Sequence, residues 1–93
     1  MARPLNIIGP QLRRLRYERG LSQPELAAAC QRKGYDISRD TVANIEGQRR
    51  WVADFEIVFL ALVLDVPVQE LLPPPRQAGR TLKSFMHDRT TGA

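Results

Sequence analysis

Apolar positions in this chain recur at helical spacing in five short runs, each closed by glycine, proline or a polar cluster. In the first, Ile8, Leu12 and Leu15 fall at i, i+4 and i+7, Gly9-Pro10 places proline at the favoured first helical position, and Gly20 ends the run. Arg13, Arg14 and Arg19 are expected to face water or DNA. The second run starts at Ser22, where Ser22-Gln23-Pro24-Glu25 has capping-box spacing: the serine oxygen takes an orphan N–H and Glu25 reaches back. Leu26, Ala27 and Cys30 form its buried stripe, predicted to reach about residue 32 before Lys33-Gly34 closes it. The third starts at Ser38, with Val42 and Ile45 for the buried side. The fourth is predicted over 55–64 with Asp54 as N-cap and Leu60, Ala61 and Leu64 turned inward. Its residues 57–64 carry no charge, which is more apolar surface than one buried stripe requires, and Phe59, Leu62 and Val63 are the surplus to follow. A fifth short helix is predicted over 66–72, with Pro67 in its first turn. Pro73-Pro74-Pro75 then stops the pattern, since prolines at a helix end favour an extended, stiff segment.

Five helices and no alternating segment predict an all-α fold. The organisation expected is a loose arm over 1–5, one domain over 6–73, and a Pro-rich then basic tail over 74–93 whose polar composition predicts disorder. Within that tail only Leu82, Phe85 and Met86, at i, i+3 and i+4, form an apolar cluster, enough for a turn of amphipathic helix.

Composition narrows the chemistry. A chain of 93 residues with 43% apolar residues is a single globular domain. Cys30 is the one cysteine and His87 the one histidine, far apart in sequence. No disulfide or metal constellation is expected, nor any cofactor, and a reducing cytoplasm is the expected compartment. No segment approaches the ~18 apolar residues of a membrane span. There is no phosphate-binding glycine loop, no paired ligand motif and no nucleophile with an identifiable base, so an enzyme is not expected. The net charge of +4 is unevenly spread: residues 1–50 carry +5, 51–72 carry −4 and 73–93 carry +3. A basic first half suits phosphate binding, although surplus arginine is also how a solvated surface looks.

Residues 21–50 hold two helix starts, a bend and a basic exit. With Val42 and Ile45 inward, Arg39, Asp40, Ala43 and Asn44 fall on the outer side of the third helix. Small or long polar groups at the N-terminal end of such a helix reach base edges when it enters the major groove. Arg39 suits guanine and Asn44 adenine, and Thr41 suits a thymine methyl or a phosphate. Ser38 and Asp40 belong to the same helix start, Asp40 either capping it or accepting from cytosine. Gln48, Arg49 and Arg50 form an exit loop suited to phosphates. Arg3 in the arm is placed to reach a phosphate or a minor groove.

The pattern resembles the lambda-repressor-like (Cro-type) helix-turn-helix family. The resemblance rests on Ile8-Gly9 and Leu12-Arg13-x-Leu15-Arg16, on Leu21-Ser22-Gln23-x-x-Leu26-Ala27, on Ser38-x-x-Thr41-Val42-x-x-Ile45-Glu46, and on Leu60-Ala61-x-x-Leu64-x-Val66, and it covers residues 6–73. It implies a five-helix domain that binds double-stranded operator DNA as a homodimeric bacterial or phage repressor. It further implies that Gln23 touches the DNA backbone, that Arg16 pairs with Glu46, and that Val68, Leu71 and Leu72 are shared between the core and a two-fold interface. Two departures stand out: residues 31–37 make a longer turn than the family's shortest, and Gly47 follows Glu46 directly. Two rival readings stay open. One is an antitoxin-type autorepressor whose tail binds a toxin; the other is a protein-interaction module, bound through the apolar fourth helix, that has lost DNA binding.

Overall fold

A computed structural model of the chain describes residues 3–91, with side chains as far as Met86. The first two residues of the expected arm and the side chain of His87 lie outside that description. Among the described residues the structure is all-α, with five α-helices and one 3-10 turn.

Helix α1 spans Gly9–Glu18, with Pro10 in its first turn. Helix α2 spans Gln23–Arg32; Ser22 Oγ accepts from Glu25 N at 3.2 Å while Glu25 Oε1 accepts from Ser22 N at 2.8 Å, so both halves of the capping box close. Helix α3 spans Arg39–Glu46 behind the N-cap Ser38, whose Oγ accepts from Thr41 N at 3.1 Å. Helix α4 spans Asp54–Leu64. Its N-cap is Ala53 and not the expected Asp54, because Glu56 Oε1 accepts from Ala53 N at 2.8 Å. That is the glutamate half of a capping box, with no cap oxygen to return the bond.

The fifth predicted helix is shorter than expected. Asp65 ends α4 in the left-handed conformation (φ 57°), Val66 and Pro67 lead away from it, and the prolines begin at 73. Only a 3-10 turn, Val68–Leu71, fits between. The tail corrects the expectation of disorder. Pro75 opens a helix, α5, spanning Pro75–Thr91, and Ala78 N donates to Pro74 O at 3.0 Å. A proline at the first helical position loses no hydrogen bond, so the last proline of the run starts a helix instead of blocking one.

The core joins the predicted stripes: Ile8, Leu12 and Leu15 from α1, Leu26, Ala27 and Cys30 from α2, Val42 and Ile45 from α3, Leu60, Ala61 and Leu64 from α4, and Leu71 from the turn. Ile37, in the bend before α3, completes it. Each fully buried aliphatic side chain contributes about 1.5–3 kcal/mol. Packing of α1 and α2 on α3 fixes α3 as a short rod that buries Val42 and Ile45 along its inner side and Glu46 at its end. Burial pushes the Cys30 thiol up to about 11, so it stays protonated and serves as a small apolar filler.

Candidate nucleic-acid interface

Val42 and Ile45 are fully buried, and that rotation of α3 leaves Arg39, Asp40 and Asn44 exposed, with Thr41 and Ala43 half-buried beside them. Arg39 and Asp40 lie at the tip with side chains 66% and 85% exposed and a loose 3.7 Å contact between them. Asp40 stands in the first turn, where a carboxylate is favoured by the helix dipole. Ser38 is occupied as the cap, and its Oγ lies 3.0 Å from Thr41 Oγ1. Asn44 Oδ1 accepts from Arg49 Nε at 3.2 Å, and Arg49 also donates to Ala43 O at 3.3 Å. Arg49 therefore folds back over the end of α3 with its guanidinium still at the surface.

Between the N-terminus of α2 and the C-terminus of α3 lies an open cleft of about 460 Å³, edged by Arg13, Tyr17, Gln23, Ala43 and Arg49. Its floor is the pair of Arg16 and Glu46, both nearly buried: Arg16 Nε donates to Glu46 Oε2 at 2.6 Å and Nη2 to Oε1 at 3.0 Å. The third arginine nitrogen donates to Leu21 O at 2.9 Å, so the guanidinium holds α1, the α1–α2 turn and α3 together. The hydrogen bonds to Glu46 raise the Arg16 pKa further against the opposing cost of burial. Gln23 Nε2 donates to the same carboxylate, Oε1, at 3.0 Å, at the edge of the cleft. Arg13 and Arg16 both approach the Tyr17 ring and lower its phenol pKa. Arg13 belongs to the motif on the first helix, whereas Tyr17 lies outside the motifs of the resemblance; its helical spacing from Arg13 was the signal available for it.

In the exit loop Gln48 takes the left-handed conformation (φ 59°). Its side chain turns inward, Nε2 donating to Asn6 O at 2.9 Å, while its own carbonyl accepts from Leu5 N at 2.9 Å. Arg50 makes a two-pronged contact with Glu56, Nη1 to Oε1 at 3.2 Å and Nη2 to Oε2 at 3.0 Å. Tyr35 Oη adds a 2.6 Å hydrogen bond to Glu56 Oε2. Burial alone would raise the Glu56 carboxyl, but the hydrogen bonds from Arg50, Tyr35 and Ala53 N outweigh it and hold it below the usual range. Burial, then the neighbouring Glu56, push the Tyr35 phenol up. Gln48 and Arg50 thus brace the loop from inside, and Arg49 is its outward cation.

Asn6 is the residue the sequence reading passed over. Its Oδ1 accepts from Ile8 N and Gly9 N at 3.1 and 2.8 Å, and its Nδ2 donates to Ile45 O and Arg50 O at 3.1 and 3.0 Å. One amide caps the start of α1 and ties it to the end of α3. An asparagine directly ahead of an apolar-periodic run was the available signal.

Of the residues expected at an interface, Val68 is half-buried against the core, Leu71 is wholly inside it and Leu72 is 39% exposed. A larger apolar surface lies on α4, where Phe55, Val58, Phe59 and Leu62 share one edge at 64, 48, 37 and 63% exposure. Val63, expected among the surplus, packs on the core.

Among known proteins, no family model and no curated sequence matches this chain. Solved structures do. The restriction-modification controller protein C.AhdI from Aeromonas hydrophila is 35% identical over 70% of this chain and 87% of its own, with a TM-score of 0.62. The DNA-binding domain of BldD is 30% identical over 78% of this chain and 100% of its own, with a TM-score of 0.64.

Proposed function

Because the chain belongs to the lambda-repressor-like (Cro-type) helix-turn-helix family, we propose that it is a cytoplasmic regulator of transcription that binds double-stranded DNA in a sequence-specific manner, as a homodimer on a palindromic operator. The observation that carries this reading is the division of α3: a fully buried side of Val42 and Ile45 against an exposed edge of Arg39, Asp40 and Asn44 at its leading end. Similarity to a restriction-modification controller and to a DNA-binding domain supports it.

In this reading α3 enters the major groove and Arg39 and Asn44 take base edges, each worth about 1–3 kcal/mol of discrimination. Asn44 exchanges its contact with Arg49 for one with a base, and Arg49 turns to a phosphate. Thr41 lies at the groove wall. Asp40 offsets the start of α3 and can accept from a cytosine amino group, which adds selectivity against bases that present only acceptors there. Gln23, at the first turn of α2, offers its backbone N–H to a phosphate while Glu46 fixes its side chain. Ser38 contributes as the cap of α3. Gln48 and Arg50 support the loop that presents Arg49. Occupying a promoter is sufficient to repress it.

The test is selection from a random duplex pool, with sequencing, for the wild type and Arg39→Ala at low and high salt. An enriched palindrome that weakens with salt, and relaxes at one position per half-site in the variant, is the expected result. Absence of enrichment, or weak binding shared equally by both proteins, refutes the reading.

A further inference from the structure

Helix α5 meets the body through Phe85. Phe85 meets Trp51 edge-on with ring centroids 5.6 Å apart, and the Arg3 guanidinium lies 5.0 Å above the Phe85 ring. Pro4, Leu5, Ile7 and Thr81 line the small apolar hollow between them. This attachment fixes which way the helix faces. Ala78, Thr81 and Phe85 are its half-buried residues and, at 100° per residue, fall within about 60° of one another. Arg76, Arg80 and Lys83 are all exposed, fall within a similar sector, and lie about 165° from the docked side. No acidic residue occurs between Pro73 and His87. None of the three cations meets a carboxylate among the described residues, whereas Arg14, Arg16, Arg39 and Arg50 each do.

We infer that the Arg76-Arg80-Lys83 edge of α5 is a second phosphate-binding strip, which grips DNA flanking the half-site read by α3. The inference rests on the DNA-binding reading and extends it. Two observations select a nucleic-acid backbone over an acidic protein. First, α5 is pinned to Trp51, two residues beyond Arg49, so its attachment lies beside the exit loop that carries Arg49. Second, the cations form a row: from Arg76 to Lys83 the helix rises ~10.5 Å in steps of ~6 and ~4.5 Å, a run of positive charge that can lie along about four successive phosphates of one strand at ~3.4 Å axial rise. Phe85 acts as the positioning residue: it touches no phosphate but holds the strip against the body.

The test uses the full chain and two duplexes carrying the selected site, one trimmed flush with the operator and one extended by a helical turn on each side. Binding is titrated over a salt series for the wild type, for the Arg76→Gln/Arg80→Gln/Lys83→Gln variant and for Phe85→Ala, whose cations remain. On the extended duplex the triple variant should lose ~2.7 units of salt slope per bound chain, roughly a fortyfold smaller change in affinity between 50 and 200 mM salt. On the trimmed duplex it should bind like the wild type. Phe85→Ala should show a partial loss on the extended duplex alone. Equal slopes for wild type and triple variant on the extended duplex, or an equal loss on both duplexes, would overturn the strip while leaving the α3 reading intact. If the wild type binds neither duplex specifically, both readings fall. Circular dichroism separates a lost contact from a lost helix, because the three exposed glutamines should leave α5 helical.

Discussion

Asn6 shows how one side chain can set the position of α3, a helix it never joins. An asparagine offers two donors and two acceptor lone pairs, and here all four are used, on the start of α1 and on the carbonyls of Ile45 and Arg50. Gly9, immediately beyond, has no room for a β-carbon: one built there would lie 2.5 Å from Ile45 O and 2.8 Å from Glu46 O. The N-terminus of α1 is therefore pressed against the C-terminus of α3 and fastened by Asn6. Replacing the amide removes the fastening and leaves partly buried groups without partners. Asn6→Ala should lower stability by about 2 kcal/mol in denaturant unfolding, and should weaken operator binding by misplacing the exit loop. A change under a few tenths of a kcal/mol would mean that water replaces the amide without cost.

At the scale of elements, two carboxylates tie α1, α2, α3 and the exit loop to the rest of the fold. Glu46 receives Arg16 and Gln23; Glu56 receives Arg50, Tyr35 and Ala53 N. Removing one partner of the nearly buried Arg16–Glu46 pair strands the other charge, which costs more than the net energy of the pair suggests. The Glu56 cluster also sets an acid limit. Its carboxyl pKa is lowered in the folded state from an ordinary value of 4.5, so its contribution is complete above that value and is lost as pH falls below it toward the folded pKa. Thermal melts from neutral pH down to about pH 3 should show wild type losing stability over that window more steeply than Glu56→Gln, which lacks this titration. Parallel acid profiles would place the loss in other carboxylates. The helix starts at Ser22 and Ser38 and the stripes of α1 to α4 were legible in the sequence because caps and 3.6-residue periodicity are local. The family motif carried Arg16 to Glu46 by resemblance, not by spacing. What the sequence did not reveal depends on partners distant along the chain. Arg50 and Gln48 read as free cationic and polar loop residues because Glu56 and Asn6 lie in other elements. Helix α5 read as a disordered tail because Gly79 and the prolines depress local propensity, while Trp51, the surface it docks on, lies more than thirty residues away.

For the molecule as a whole, the open question is what covers α4. Phe55, Val58, Phe59 and Leu62 lie within about 100° of one another on the helix, and Phe59 is steadied by Tyr35 at 5.5 Å between ring centroids. Leu71, which the sequence offered for a two-fold contact, is fully inside the core, and Val68 is already packed, so the α4 edge is the larger apolar surface left to a second copy. An uncharged stripe pairs readily with itself about a two-fold axis, and that symmetry is what a palindromic site requires. Leu62 is 63% exposed, so Leu62→Glu should change the stability of a single chain by less than about 0.5 kcal/mol while placing two like charges against each other across the axis. Sedimentation equilibrium should give a dimer for wild type and a monomer for the variant. Operator binding should follow: on a full palindrome the variant loses the ~100-fold or greater advantage of joining two half-sites, while on a single half-site both proteins bind alike. A variant that remains dimeric would move the axis to Leu72 and its neighbours. A wild type that sediments as a monomer and binds one half-site would remove the two-fold reading altogether, leaving α3 to read DNA alone.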